Sequence, residues 1–343
     1  MKSRNQSLDV LRGVAILLVL GGHVPYFYLW HKIGWAGVDL FFVLSGFLIS
    51  GLLFREFIET GAINFRRFII RRGFKIWPAL YVYLLVMRLL MAGQPGGVQS
   101  GFIESVLFVR NYFPMADRGG YFFDHTWSLA VEEHFYLLLP LLLMALIRLG
   151  GGGLRLVPWI FLFTATACLA LRFAFHPEQC YATHFRIDEL FGGVTLGYLH
   201  HFHRERFRTL ATNWSLLAAA LFLLPMFLLR EGELHTWGFA SLMIGFALLV
   251  AWAVERRAAK VLKPIAWIGV SSYSIYLWQQ PVGMGFVKWG ADSLLRYSCY
   301  LFVAITLGAA MAKAIERPAL ALRERLFAHS SQLSPQIHAA PSS

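Results

Sequence analysis

The chain has 343 residues, of which 57% are hydrophobic and 15% charged, with a formal net charge of +12. Soluble globular proteins carry about 25% charged residues, so this composition excludes a soluble enzyme or nucleic-acid-binding domain and implies an integral membrane protein. The three cysteines (Cys168, Cys180, Cys299) form no CxxC pattern and have no histidine at ligand spacing, so neither a disulfide framework nor a metal site is expected.

The hydropathy pattern implies an all-α, polytopic architecture of about ten transmembrane helices. They fall at roughly 10–30, 35–54, 74–92, 125–148, 156–175, 184–200, 213–229, 234–254, 265–287 and 296–316. With the N-terminus inside, the inner segments hold 22 of the 31 Lys and Arg residues and the outer segments nine. That bias obeys the positive-inside rule, so the reading is an inner-membrane protein with both termini cytoplasmic, and the basic charge orients it in a bilayer rather than binding nucleic acid. Residues 1–325 form the membrane domain in this reading. The polar, proline-containing stretch 326–343 is expected to be a disordered cytoplasmic tail.

The first span holds Arg12 and His23 inside the apolar run Val10–Trp30. Lys2 and Arg4 ahead of it resemble a signal peptide. Asp9 and Arg12 interrupt the run, however, and no clean small-residue cleavage site follows, so a retained span is expected. Eleven residues at about 100° each return to within roughly 20° of the starting direction, so Arg12 and His23 share a face about 16 Å apart. Ionisable groups at such depth are costly and usually functional. A cation near one surface and a base deep in the span suit a long, anionic, reactive ligand. The alternative is a snorkelling arginine and a histidine bonded to a neighbouring carbonyl.

The second span, AGVDLFFVLSGFLISGLLF, carries Asp39 one turn inside its outer end, and Ser45, Gly46 and Gly51 as a small face for close helix contact. Asp39 needs a partner there, as an ion pair or as part of a site. The following segment, INFRRFIIRRGFKIWPALY, clusters Arg66, Arg67, Arg71, Arg72 and Lys75 at the inner surface. Such a cluster either anchors lipid phosphates or clamps a phosphorylated ligand, which arginine forks hold in bidentate fashion.

In the fourth span, FFDHTWSLAVEEHFYLLLP, Ser128 and Glu132 stand at i, i+4 on one face, Glu133 points about 100° away and His134 lies almost opposite. One carboxylate can therefore face a bundle interior that the other cannot. The sixth span opens THFRIDELFGG, with His184 and Asp188 at i, i+4 and Arg186 and Glu189 at i, i+3. The ninth contains SSYSIYLWQQPVG, where Pro281 is expected to kink the helix and free carbonyls, with Gln279 and Gln280 satisfying them or touching a ligand. On this topology His23, Asp39, Glu132 and Asp188 occupy the outer half, and Arg12, Arg71, Arg72 and Lys75 the inner side. Acyl-CoA, anionic at one end and narrow along its arm, fits that route.

These segments, taken in order, resemble the membrane-bound acyltransferase family 3 over about residues 7–318. Arg12 and His23 match its Arg-x10-His signature, GWAGVDLFFVLSGFLIS its second, and RRGFKIWPALY its third, with Lys75 where arginine is usual. TWSLAVEEHFY matches a further motif and places the family glutamate at Glu132, while THFRIDELFGG and IERP (315–318) are similar to others. YLWQQP departs from the family's frequent YLWH-x-P, so Gln279 stands where a histidine is common and His23 is the better base candidate. Nothing matches the secreted hydrolase-like domain of some carbohydrate-modifying members, so a stand-alone module is expected.

The resemblance implies an O-acyltransferase, most readily an O-acetyltransferase, with no permanently bound cofactor, acting from cytosolic acyl-CoA (acetyl-CoA in the acetyl case) as co-substrate on a hydroxyl of a surface or exported glycan or glycolipid. In it His23 acts as base with Glu132 orienting or charge-stabilising it, and Arg12, Arg71, Arg72 and Lys75 hold the CoA phosphates. Asp39, Trp127, Ser128, Arg186, Asp188 and Gln279 are the candidates to position the acceptor, with Asp188 or Asp39 pairing with Arg186. The rivals are acylation of a small secreted metabolite and a proton-coupled transporter using the same groups as a relay.

Overall fold

The computed structural model describes residues 5–23, 26–92, 97–113, 121–150, 152–176, 180–229, 233–287 and 293–331. Among them the protein is helical throughout, with no strand. In chain order the α-helices are α1 (Gln6–His23), α2 (Tyr28–Ile33), α3 (Ala36–Thr60), α4 (Phe65–Leu90), α5 (Gly97–Val106), α6 (Tyr121–Asp124) and α7 (Trp127–Arg148). They continue with α8 (Val157–Phe175), α9 (Thr183–Phe202), α10 (Arg204–Thr209), α11 (Asn213–Leu223), α12 (Pro225–Leu228) and α13 (Phe239–Val254). The last are α14 (Lys263–Val270), α15 (Ser272–Val287), α16 (Leu294–Met311) and α17 (Arg317–Ser331).

Six helices among the described residues are long and apolar enough to cross a membrane: Ala36–Thr60, Phe65–Leu90, Tyr121–Arg148, Gly153–Phe175, Leu234–Val254 and Leu294–Phe327. The expected count of about ten exceeds this for physical reasons. α9 carries Arg186, Asp188 and Glu189 in its 20 residues. α14 and α15 are separated at Ser271, and α11–α12 form only a shorter apolar stretch, Asn213–Leu228. α1 is an 18-residue helix containing Asp9 and Arg12.

The apolar run Val10–Trp30 is not one helix. α1 stops at His23, where the sequence offers Gly21, Gly22 and Pro25, and α2 folds back along it. Trp30 Nε1 donates to the Leu17 carbonyl at 3.0 Å, and a Cβ on Gly21 would fall 1.9 Å from the Trp30 ring, so the glycine makes room for the turn.

α3 is the central element, with 83% of its most apolar window buried. It crosses α9 at backbone distance: a Cβ on Gly46 would meet the Leu190 carbonyl oxygen at 2.0 Å, and one on Gly193 the Val43 carbonyl oxygen at 2.2 Å. This is the small-residue contact anticipated for Gly46. A second close crossing joins α1 to α14, where a Cβ on Gly13 would meet the Ile265 carbonyl oxygen at 2.1 Å and one on Gly269 the Asp9 carbonyl oxygen at 1.9 Å. α8, by contrast, has only 11% of its window buried and presents Trp159, Leu162 and Phe163 outward, as a helix solvated by lipid does.

Local signals set the entry to the basic helix. Gly61 ends α3 in the left-handed conformation (φ 75°), its N–H bonded to the Phe57 carbonyl at 2.8 Å. The Asn64 side chain then caps α4 by accepting from the Arg67 N–H at 2.9 Å. This short reversal lays the arginine face of α4 beside α3. At the other end of the chain, a π-helical turn over Ala312–Glu316 joins α16 to α17. α17 runs to Ser331; the rest of the expected tail, 332–343, lies outside the described residues.

Candidate active site

A cavity of about 760 Å³ runs between α1, α3, α4, α7, α14, α15 and α17. On α3 its walls extend from Val38 to Thr60, roughly 33 Å along the axis. Of the residues singled out in the sequence, Arg12, Arg71, Arg72, Lys75, Ser128 and Glu132 line it together. The helical phase argument for α7 therefore holds: Ser128 and Glu132 share the cavity face, while Glu133 and His134 do not line it. His134 instead bonds Thr183 at 2.7 Å on another side of the helix.

One end of the cavity is strongly basic. Arg55, Arg67, Arg71, Arg72, Lys75, Arg317 and Arg323 stand there or nearby with Arg12, against the carboxylates Glu56, Glu59, Glu132 and Glu316. Some of that charge is committed. Lys75 is paired with Glu316, a buried carboxylate that also accepts from Ser274, and Arg12 contacts Asp9 at 3.1 Å. Arg72 lies over the Tyr136 ring, 5.1 Å from its centroid. That ring's hydroxyl donates to Glu132 at 2.7 Å and contacts the Ser45 hydroxyl at 2.7 Å. Ser45, expected only to pack, thus belongs to the site.

The opposite end is closed by hydroxyls. Ser128 Oγ and Tyr276 Oη are 2.6 Å apart, and Tyr276 donates to the His125 carbonyl at 2.7 Å. His23 is not part of the cavity wall. Its Nδ1 lies 2.8 Å from the Val19 carbonyl oxygen, which can only accept, so Nδ1 carries the proton and Nε2 the lone pair. Nε2 faces the Gln279 amide nitrogen at 3.4 Å. Gln279 also accepts from Tyr300 at 3.2 Å and donates to Gln280 at 3.0 Å, and Gln280 donates to the Tyr121 carbonyl at 2.9 Å. His23 therefore sits in a polar cluster with Gln279 outside the cavity wall, and Glu132 is bonded to Tyr136 rather than to His23.

Asp39, Arg186 and Asp188 lie elsewhere again, in an ionic cluster tying α3, α8 and α9. Arg186 pairs with Asp39 and, at 2.9 Å, with Glu189. Its guanidinium is stacked 4.2 Å from the Phe239 centroid and 5.4 Å from that of Trp127. Asp188 pairs with Arg172 at 2.7 Å, both side chains being wholly buried. Trp127 is thus part of the box around Arg186, and none of the four lines the cavity.

Sequence reasoning did not single out Arg172, Tyr136, Tyr276 or His125. Arg172 was detectable as a lone charge in the otherwise apolar FTATACLALRF. The tyrosines carried no such signal, because tyrosine is common in membrane helices and only the packing places their hydroxyls.

Residues 5–313 match the profile of an acyltransferase domain, that of acyltransferase 3. The chain belongs to the acyltransferase 3 family. It is similar to the peptidoglycan O-acetyltransferase OatA of Listeria monocytogenes, 27% identical over 307 residues that make up 80% of this chain and 49% of the relative. A protein described provisionally as a peptidoglycan O-acetyltransferase, YrhL of Bacillus subtilis, is 27% identical over 305 residues, 80% of this chain and 48% of its own. The chain spans about half the length of these curated relatives. No solved structure gives a significant match. Within this acyltransferase 3 chain, the family region supplies most of the cavity wall and His23, and ends before Glu316 and α17, which complete that wall.

Proposed function

We propose that this membrane protein transfers an acyl group, in the first instance acetyl, from cytosolic acyl-CoA to a hydroxyl of an exported or surface glycan of the peptidoglycan type. The reading is carried by one observation: a single cavity joins an excess of guanidinium groups at one end, with Tyr136 and Glu132 beside Arg72, to the Ser128 and Tyr276 hydroxyls at the other. Guanidinium forks suit the phosphates of a CoA nucleotide. The narrow remainder suits its arm, and the thioester reaches the Ser128–Tyr276 layer. The names of the relatives supply the glycan acceptor.

In this mechanism the donor enters from the basic, cytoplasmic side and the acceptor from the side of His23. His23 Nε2, with its lone pair set by the Val19 hydrogen bond, takes the proton of the acceptor hydroxyl. The freed oxygen attacks the thioester carbonyl. The Ser128 hydroxyl, at the closed end of the cavity, turns from Tyr276 to donate to the oxyanion that forms, while Tyr276 keeps its proton on the His125 carbonyl. The intermediate collapses with loss of CoA thiolate, and the proton held on His23 Nε2 passes to that sulfur, which restores the neutral imidazole. Glu132 does not orient His23; held by Tyr136 beside Arg72, it positions that guanidinium for the donor. Gln279, whose amide donates to Nε2, gives up that bond as the acceptor hydroxyl takes its place.

The test has two arms. Purified protein in lipid nanodiscs should release CoA from acetyl-CoA when an acceptor glycan is present, and glycans from cells lacking the gene should lose an acetyl mass. Absence of CoA release, with proton-coupled solute uptake in its place, would establish the transporter reading. Arg12→Ala and the double change Arg71→Ala with Arg72→Ala should raise the donor KM about tenfold or more. A fall in membrane yield alone would make the cluster a lipid anchor.

A further inference from the structure

α17 begins at Arg317, beyond the family-matched region, yet it forms part of the cavity wall through Arg317, Leu320 and Arg323. The helix is docked, not free. The buried Glu316 at its root holds Lys75 of α4 and Ser274 of α15, and Phe327 one turn beyond Arg323 lies 5.9 Å from the Arg71 guanidinium. Arg67, Arg71 and Arg323 line the cavity together, and Glu324 and Glu56 are carboxylates whose charge acts on Arg71. Arg323 is paired with Glu324 beside it at 2.5 Å, and that carboxylate, 62% exposed, also acts on Arg71. Three guanidiniums from two helices thus line the mouth against the two carboxylates Glu56 and Glu324, and the remaining positive charge favours a dianion.

The site is separate from the deeper cations. Arg72 faces Tyr136 and Glu132, whereas Arg67 lies five residues earlier on α4, about 7.5 Å nearer the mouth. A CoA-type donor has the same two-part character: a diphosphate on the path to the thioester and a separate phosphomonoester on the ribose at the far end. We propose that α17 is half of a phosphate site in which Arg323, with Arg67 and Arg71 across the mouth, binds the 3′-phosphomonoester of the donor nucleotide. This rests on the donor reading above and assigns the role to a helix that the family region does not include.

The experiment is calorimetric titration of the full-length protein in nanodiscs with CoA and with 3′-dephospho-CoA. The wild-type protein should bind CoA about tenfold or more tightly than the dephospho compound. Arg323→Ala should bring CoA affinity down to that of 3′-dephospho-CoA while leaving the latter's affinity unchanged, Arg323→Lys should recover part of the difference, and Arg67→Ala should give the same signature. Equal binding of both compounds by the wild type overturns the phosphomonoester site while the donor reading stands. So does a loss in Arg323→Ala that is the same for both compounds, or unchanged discrimination. Failure of the wild type to bind either compound overturns the donor reading itself.

Discussion

In the proposed mechanism His23 and Glu132 take part without touching each other. His23 has its tautomer fixed by a helix carbonyl of its own turn, and Glu132 spends its hydrogen bond on Tyr136. His23→Ala should reduce acyl transfer about 100-fold or more with normal membrane insertion; near wild-type turnover in nanodiscs would remove His23 from the chemistry. Glu132→Gln should lose most activity and raise the donor KM, because Tyr136 and Arg72 lose their charged partner. Glu133→Gln, outside the cavity, should lose little. The reverse ranking in a CoA-release assay would show that the cavity facing Ser128 and Glu132 is not the reaction site.

Among the elements, the α3–α8–α9 unit is held by two different devices. One is backbone contact at Gly46 and Gly193, where any side chain collides with a carbonyl. The other is the pair Arg172–Asp188, buried on both sides. Gly46→Val should lower stability by about 1–3 kcal/mol or more through overpacking, read as a lower unfolding temperature in detergent. Asp188→Asn leaves Arg172 charged in a dry interior and should cost about 3–5 kcal/mol, whereas replacing both members with apolar residues of similar size should recover much of the loss. Should Asp188→Asn abolish turnover with unchanged unfolding temperature, the cluster would belong to the acceptor site instead. Asp39 and Arg186 sit in the same cluster, and their burial makes them pins for the scaffold around the cavity rather than cavity residues.

At the scale of the molecule, basic residues crowd one end of the cavity and His23 lies past the other. In the proposed mechanism the CoA nucleotide, too charged to cross a bilayer, stays on the basic side and only its arm reaches the hydroxyl layer. In sealed inside-out vesicles, acetyl-CoA added outside should acetylate a glycan trapped in the lumen, and the same glycan supplied only on the CoA side should react poorly. Efficient reaction with donor and acceptor on one face, and none with luminal acceptor, would refute transfer across the membrane.

Composition by itself determined that this is a helical membrane protein, because 57% hydrophobic residues leave no soluble alternative. Helical periodicity determined that Ser128 and Glu132 share a face and that Gly46 serves a close crossing, since both follow from angles within one helix. Motif order pointed to the acyltransferase 3 family, and the family match bears this out. What periodicity lacks is the identity of the neighbour on each face. Only the packed structure decided that α1 stops at His23, that Tyr276 closes the cavity over Ser128, and that Asp188 belongs to Arg172. It likewise brought Arg323 beside Arg71, two residues 252 positions apart that no local rule connects, through the π-helical turn that aims α17 at α4.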